Sequence, residues 1–129
     1  MKDWRELSPR LLAYMGDAVY ELHVRSRLMT ANVPVERLHT AKVSRVRASA
    51  QAAALRRLLP TLTEDEQDVV RRARNLKSNV PKNASVADYR YSTAFEALLG
   101  MLYLQGATER LDAILRATDA LLETSDEPT

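Results

Sequence analysis

Apolar positions along this chain recur three or four residues apart, the spacing of helices that turn one face to a core. In residues 12–27, LAYMGDAVYELHVRSR, the stripe runs through Leu11, Met15, Ala18 and Leu22, with Leu12 and Val19 beside it. Ser8-Pro9 predicts where this helix starts, Ser as N-cap and Pro at the first helical position, and it should run to Leu28 or Met29. Pro34 breaks the chain and allows one short turn to Thr40. An alanine-rich helix follows over residues 41–59, with Val43, Val46, Ala50, Ala54 and Leu58 inward, and Pro60 ends it. Thr63-Glu-Asp-Glu66 is a capping box that opens a helix to about Leu76 and accounts for those acids. Residues 89–104, YRYSTAFEALLGMLYL, carry the next stripe, Tyr91, Phe95, Leu98, Leu99 and Leu102, capped by Ser85 or Asp88 and stopped at Gln105-Gly106. A last amphipathic helix over 108–123 turns Leu111, Leu115, Thr118 and Leu122 inward and its acids outward; residues 125–129 should fray. The class is all-α, one domain over residues 1–129, with Trp4 and Leu7 packing the amino-terminal arm onto it.

Two of these helices carry residues that a core would not select. Gly16-Asp17 sits inside the first stripe; an interior glycine costs about 1 kcal/mol relative to alanine, and a carboxylate among apolar neighbours costs more unless something positive meets it. Glu96 and Gly100 repeat the pair on the later helix, one turn apart on one face. A glycine lets another backbone come close, so the two helices can meet and bring together Asp17 and Glu96, which lie 79 positions apart. Mg²⁺ takes one or two carboxylates, with water and substrate phosphate completing its shell. Thr93-x-x-Glu96 would read as a capping box if a helix began at Thr93, but residues 89–92 continue the pattern upstream.

Met15-Gly-Asp-Ala18 and Phe95-Glu-Ala-Leu98, with the basic segment RARNLKSNVPKN (72–83) before the second, resemble the ribonuclease III catalytic domain and its Mini-ribonuclease III branch over nearly the whole chain. The resemblance implies a helical bundle of the ribonuclease III endonuclease type, Asp17 and Glu96 as catalytic metal ligands, and Mg²⁺ as cofactor, with Mn²⁺ as a substitute. It further implies a homodimer, with Tyr14 plugging a socket on the partner and Met15 beside it, although Tyr14 reads equally well as ordinary core with its hydroxyl at the surface. Longer relatives have four active-site acids; here Ala13 and Thr93 stand where the other two would be, which favours one well-held metal. Glu21, one turn after Asp17, is a candidate for a contact behind the ligands. No stretch reads as the separate double-stranded-RNA-binding domain of longer relatives.

Charge sharpens the expectation about a partner. The net +2 is segregated: residues 37–87 hold eleven Lys/Arg against four acids, whereas residues 88–129 hold three against eight. A basic middle suits a polyanion, and beside an acid pair that outweighs its alternative, a solvated helix face. Arg72, Arg74, Lys77 and Lys82 can meet phosphates, and Asn75, Ser78 and Asn83 can reach phosphates or 2′-hydroxyls of a duplex read by its shape. Cysteine is absent, which removes disulfides and thiolate metal sites and fits a reducing cytoplasm. No apolar run is long enough for a membrane span, and the amino terminus has no signal-peptide core. His39 and His23 have no partners in sequence, so zinc chemistry has no support and His39 reads as structural rather than as a base.

The expected function is therefore a Mg²⁺-dependent endoribonuclease acting on double-stranded RNA, in maturation of the precursor of large-subunit (23S) ribosomal RNA, as the resemblance implies. The alternative is a ribosome-associated protein of the same fold that only binds RNA; a helical protein-interaction module would need neither the acids nor the basic loop.

Overall fold

The computed structural model describes residues 3–77 and 79–126, with side chains as far as Glu123. It is all-α: α1 (Pro9–Leu28), α2 (Val35–Val46), α3 (Ala48–Leu58), α4 (Glu64–Arg74), α5 (Val86–Gln105) and α6 (Thr108–Asp126), with short 3₁₀ turns at Trp4–Glu6 and Leu59–Thr61. No strand occurs among the described residues. The caps fall where the residue types demand. Ser8 accepts from the Leu11 amide with Pro9 behind it, Thr63 and Glu66 form the reciprocal box of α4, Ser85 accepts from the Asp88 amide, and Gly106 ends α5 in the left-handed conformation, φ 76°.

The body is organised around α5. Its Ala94, Phe95, Ala97, Leu98, Leu99, Met101 and Leu102 are all buried, so it is apolar on nearly every side, as a helix must be that is surrounded by others. α1, α3 and α4 pack around it, and Tyr20 of α1 meets Phe95 edge to face with centroids 5.1 Å apart. Trp4 and Leu7 lie half-buried against this core.

Three expectations are corrected. The buried face of α1 is Leu12, Ala13, Gly16, Tyr20 and Val24; Leu11 and Leu22 are 54% and 69% exposed, Ala18 is exposed and Met15 half-buried. Both stripes have helical spacing, but only the one with small residues admits α5 at close range. A methyl on Gly16 would overlap the Glu96 carbonyl oxygen, and one on Gly100 the Leu12 carbonyl oxygen. Packing at backbone contact therefore selects the face.

Residues 41–59 do not form one helix. Arg47 is extended (ψ 152°), α2 begins at Val35 rather than at the alanines, and α3 starts afresh. The break turns Gln51, Ala54, Leu55 and Leu58 into the interior while Val43 stays exposed; Gln51 compensates the interrupted ladder by donating to the Val46 carbonyl at 2.8 Å.

The acids of α6 are not all outward. Asp119 is 4% exposed and bonds His23 at 2.8 Å and Arg27 at 3.4 Å, which fastens α6 to α1 and gives His23 a structural partner. α6 is helical to Asp126, and residues 127–129 lie outside the described residues. His39 is exposed.

Candidate active site

Where α1 and α5 touch through Gly16 and Gly100, both helices present their acids to one cleft of about 430 Å³. Asp17 and Glu96 line it together with Ala13, Tyr14, Thr93 and Arg10. The two carboxyl groups are close enough to share a hydrogen bond, so the convergence expected from two acid-plus-glycine helices is met. Asp17 stands exposed on the rim instead of among apolar neighbours, and Glu96 is half-buried behind it. Thr93 is mid-helix and donates to the Tyr89 carbonyl at 3.0 Å, which removes the capping role from Glu96. Ala13 and Thr93, the positions of the absent acids, face the same cleft.

Burial, then the charge of Asp17 and the hydrogen bond with it, push the Glu96 carboxyl up to about 8, against a weaker opposing hydrogen bond from Gln51. No basic side chain figures among the groups that set it. A pair of acids held together with no ion pair to a basic side chain among the described residues, open to a cleft with room for water, is a donor set suited to a hard divalent ion. Among the described residues no third acid, His or Cys joins the pair.

The raised carboxyl has a consequence for the protein without metal. Between the ordinary value of 4.5 and about 8 the folded state holds a proton that the unfolded state releases, so stability falls as pH rises across that window and levels off above it. Urea unfolding at several pH values in chelator should show this slope in the wild type and lose it in Glu96→Gln. Equal slopes in the two proteins would mean that Glu96 is already ionised at neutral pH.

The other residues singled out from the sequence are scattered around this centre. Tyr14 is 79% exposed at the cleft edge, which removes the core reading, and Met15 is half-buried next to it. Glu21 bonds Arg25 and Lys42, each at 2.7 Å, and so ties α1 to α2 rather than supporting Asp17. Arg72, Lys77, Lys82 and Asn83 are exposed, Asn83 in the left-handed region at φ 71°, where Asn is tolerated. Asn75 is the exposed C-cap of α4, while Arg74 is turned inward to the Tyr91 hydroxyl at 3.2 Å and the Tyr91 ring. Ser78 lies outside the described residues.

Two residues were not anticipated. Arg10 reaches the Lys77 carbonyl at 2.8 Å and joins the basic segment to the start of α1; its place two turns before Asp17 was the available signal. Gln51, 1% exposed, lies behind Glu96, and the signal was one long polar side chain in the run Ala48-Ser-Ala-Gln-Ala-Ala-Ala-Leu55.

Comparison with known proteins agrees with this geometry. Residues 10–107 match the model of the ribonuclease III domain. The chain is 50% identical over 119 residues to a Mini-ribonuclease 3 of Thermoanaerobacter sp. (91% of this chain, 84% of that one). It is 52% identical over 119 residues to that of Symbiobacterium thermophilum (91% and 92%). A solved structure of a Fusobacterium nucleatum protein superposes with a TM-score of 0.85 at 27% identity, over 97% of this chain and 99% of that one. With the two ordered acid motifs within the matched segment, the chain belongs to the ribonuclease III family, in its Mini-ribonuclease III branch.

Proposed function

We propose that this protein is a Mg²⁺-dependent endoribonuclease that cuts double-stranded RNA and matures the large-subunit (23S) ribosomal RNA precursor in the cytoplasm, working as a homodimer. Family membership supplies the coarser part, an endoribonuclease of the ribonuclease III type. The observation that supports metal-dependent cleavage is the convergence of Asp17 and Glu96 in one cleft beside an exposed basic segment. Asp17 and Glu96 would hold the ion, which when bound supplies an acidified water and neutralises charge building on the scissile phosphate. The two carboxylates would orient the ion, and the Glu96 carboxyl, pushed up to about 8 by burial and by Asp17, would give up its proton on doing so.

Around them, Arg72, Lys77, Lys82 and Asn83 offer donors to phosphates and 2′-hydroxyls. The apolar stripe that α5 does not cover, Leu11, Tyr14 and Leu22, supports a two-fold partner with Tyr14 and Met15 at its interface. Two-fold symmetry would set one acid pair against each strand of a duplex. No helix of the described residues is long and apolar enough to cross a membrane.

The deciding experiment is incubation of the purified protein, checked for a dimeric mass by sedimentation, with long duplex RNA in Mg²⁺ and in EDTA. Cleavage only with Mg²⁺, sparing single-stranded RNA of the same sequence, is the expected result. Duplex binding without cleavage in Mg²⁺ would instead indicate the RNA-binding alternative.

Replacing Lys77 and Lys82 together with alanine should weaken duplex binding and flatten its salt dependence. Each lysine that meets a phosphate should lower the slope of log K against log salt by roughly one. Both side chains are exposed and folding should not notice; an unchanged slope removes this segment from the interface.

A further inference from the structure

Glu96 is held from behind by a side chain that no part of the proposed chemistry has yet used. Gln51 of α3 lies in the interior, 1% exposed, near the Glu96 carboxyl but not among the residues that line the cleft. Its side-chain nitrogen donates to the Val46 carbonyl at 2.8 Å, and its oxygen accepts from the Ser92 hydroxyl at 2.9 Å. A backbone carbonyl can only accept, so the nitrogen must be the atom that faces Val46, and the orientation of the amide follows from its partners. One N–H is then left, and the Glu96 carboxyl lies near enough to Gln51 for the amide to favour its charged form. Ser92 precedes Glu96 by one turn of α5, so the clamp and the acid share a helix face.

The choice of residue type is informative. A leucine or methionine would fill this space without any demand for partners, whereas a buried amide is tolerated only when its hydrogen bonds are made. A glutamate would press a third negative charge against the two acids. A lysine would neutralise the pair and take the place of a cation. A neutral donor steers the carboxylate and leaves its charge for an ion.

We propose that Gln51 is a positioning residue for the endonuclease reaction: clamped by Val46 and Ser92, its amide holds the Glu96 carboxylate toward Asp17 in the arrangement a divalent ion requires. This rests on the function proposed above. It also ties the acid pair to the α2–α3 break, since Val46 is the last residue of α2.

The test compares intact wild type, Gln51→Met, Ser92→Ala and Asp17→Asn by three measurements. These are Mn²⁺ binding to the RNA-free protein, followed by the electron paramagnetic resonance signal of the free ion; kcat and KM on duplex RNA; and melting temperature. Gln51→Met should bind Mn²⁺ about 10- to 100-fold more weakly and lose kcat by a similar factor, with KM for RNA within about twofold of wild type. Ser92→Ala should move the same two quantities less, by roughly threefold to tenfold, because Gln51 keeps its Val46 anchor. Ser92→Ala removes a single oxygen, and it decides the matter if Gln51→Met does not fold. Mn²⁺ affinity and kcat unchanged in both variants, with or without a lower melting temperature, overturn the proposal. Wild type that binds Mn²⁺ no better than Asp17→Asn and cleaves nothing would overturn the underlying function instead, a separate and recognisable outcome.

Discussion

Asp17→Asn should abolish Mg²⁺-dependent cleavage while leaving the fold and RNA binding in place. The side chain is exposed at the cleft rim and supports no packing, so the melting temperature should stay within a few degrees of wild type. An amide keeps the shape of the carboxylate but removes the charge that faces the ion. Electrostatic stabilisation by a bound metal is worth several kcal/mol of barrier, so the rate should fall on the order of 10³-fold or more. Duplex binding in chelator should be unaffected or slightly tighter, since one negative charge near the phosphates has gone. Retained cleavage by Asp17→Asn would remove Asp17 from the ligands; loss of folding would make it structural. The two results are separated by a melting curve on the same sample.

Gly100→Ala, and equally Gly16→Ala, should be the most damaging small substitution in the chain. In each case the new methyl overlaps a backbone carbonyl oxygen of the opposing helix, Leu12 for Gly100 and Glu96 for Gly16. A flexible side chain could swing aside, but a carbonyl inside a helix cannot, so α1 and α5 must separate along their contact. Overpacking of a core costs about 1–3 kcal/mol where side chains can adjust, and this site should lie at or beyond the upper end. Against a stability of roughly 5–15 kcal/mol that is a large share, visible as a drop of about 10 °C or more in melting temperature. Gly106→Ala is the control. A methyl there meets nothing, and its φ of 76° costs only about 1–2 kcal/mol in strain. If Gly100→Ala were as stable as Gly106→Ala, the close contact of α1 and α5 would be wrong, and with it the convergence of the acids.

That convergence was legible from the sequence because it rests on local rules. Gly16 beside Asp17 and Gly100 one turn after Glu96 each break helix economy in the same way, and close approach is the shared reason. The caps were legible too, since Ser8-Pro9, Thr63–Glu66 and Gln105-Gly106 are set by residues within a turn. What failed depended on which neighbour arrives. Leu11 and Leu22 have the spacing of a core face, and only the small-residue demand of α5 puts Leu12, Gly16 and Tyr20 inside instead. The break at Arg47 has no proline or glycine to mark it; it is fixed by Gln51 reaching back to Val46 and across to α5. Asp119 reads as a surface acid until His23 and Arg27, from the other end of the chain, are seen to meet it.

The bond from Arg10 to the Lys77 carbonyl sets a ruler inside the molecule. Arg10 stands two turns ahead of Asp17 on a single rigid helix, about 10 Å along its axis. On the proposed function, the spacing between the strand's anchorage and the point of scission would thus be written in the polypeptide, not negotiated with each RNA. A duplex held by the lysines would then already be in register with the acids, and lengthening or severing that strut should shift where the strand is cut before it changes how fast.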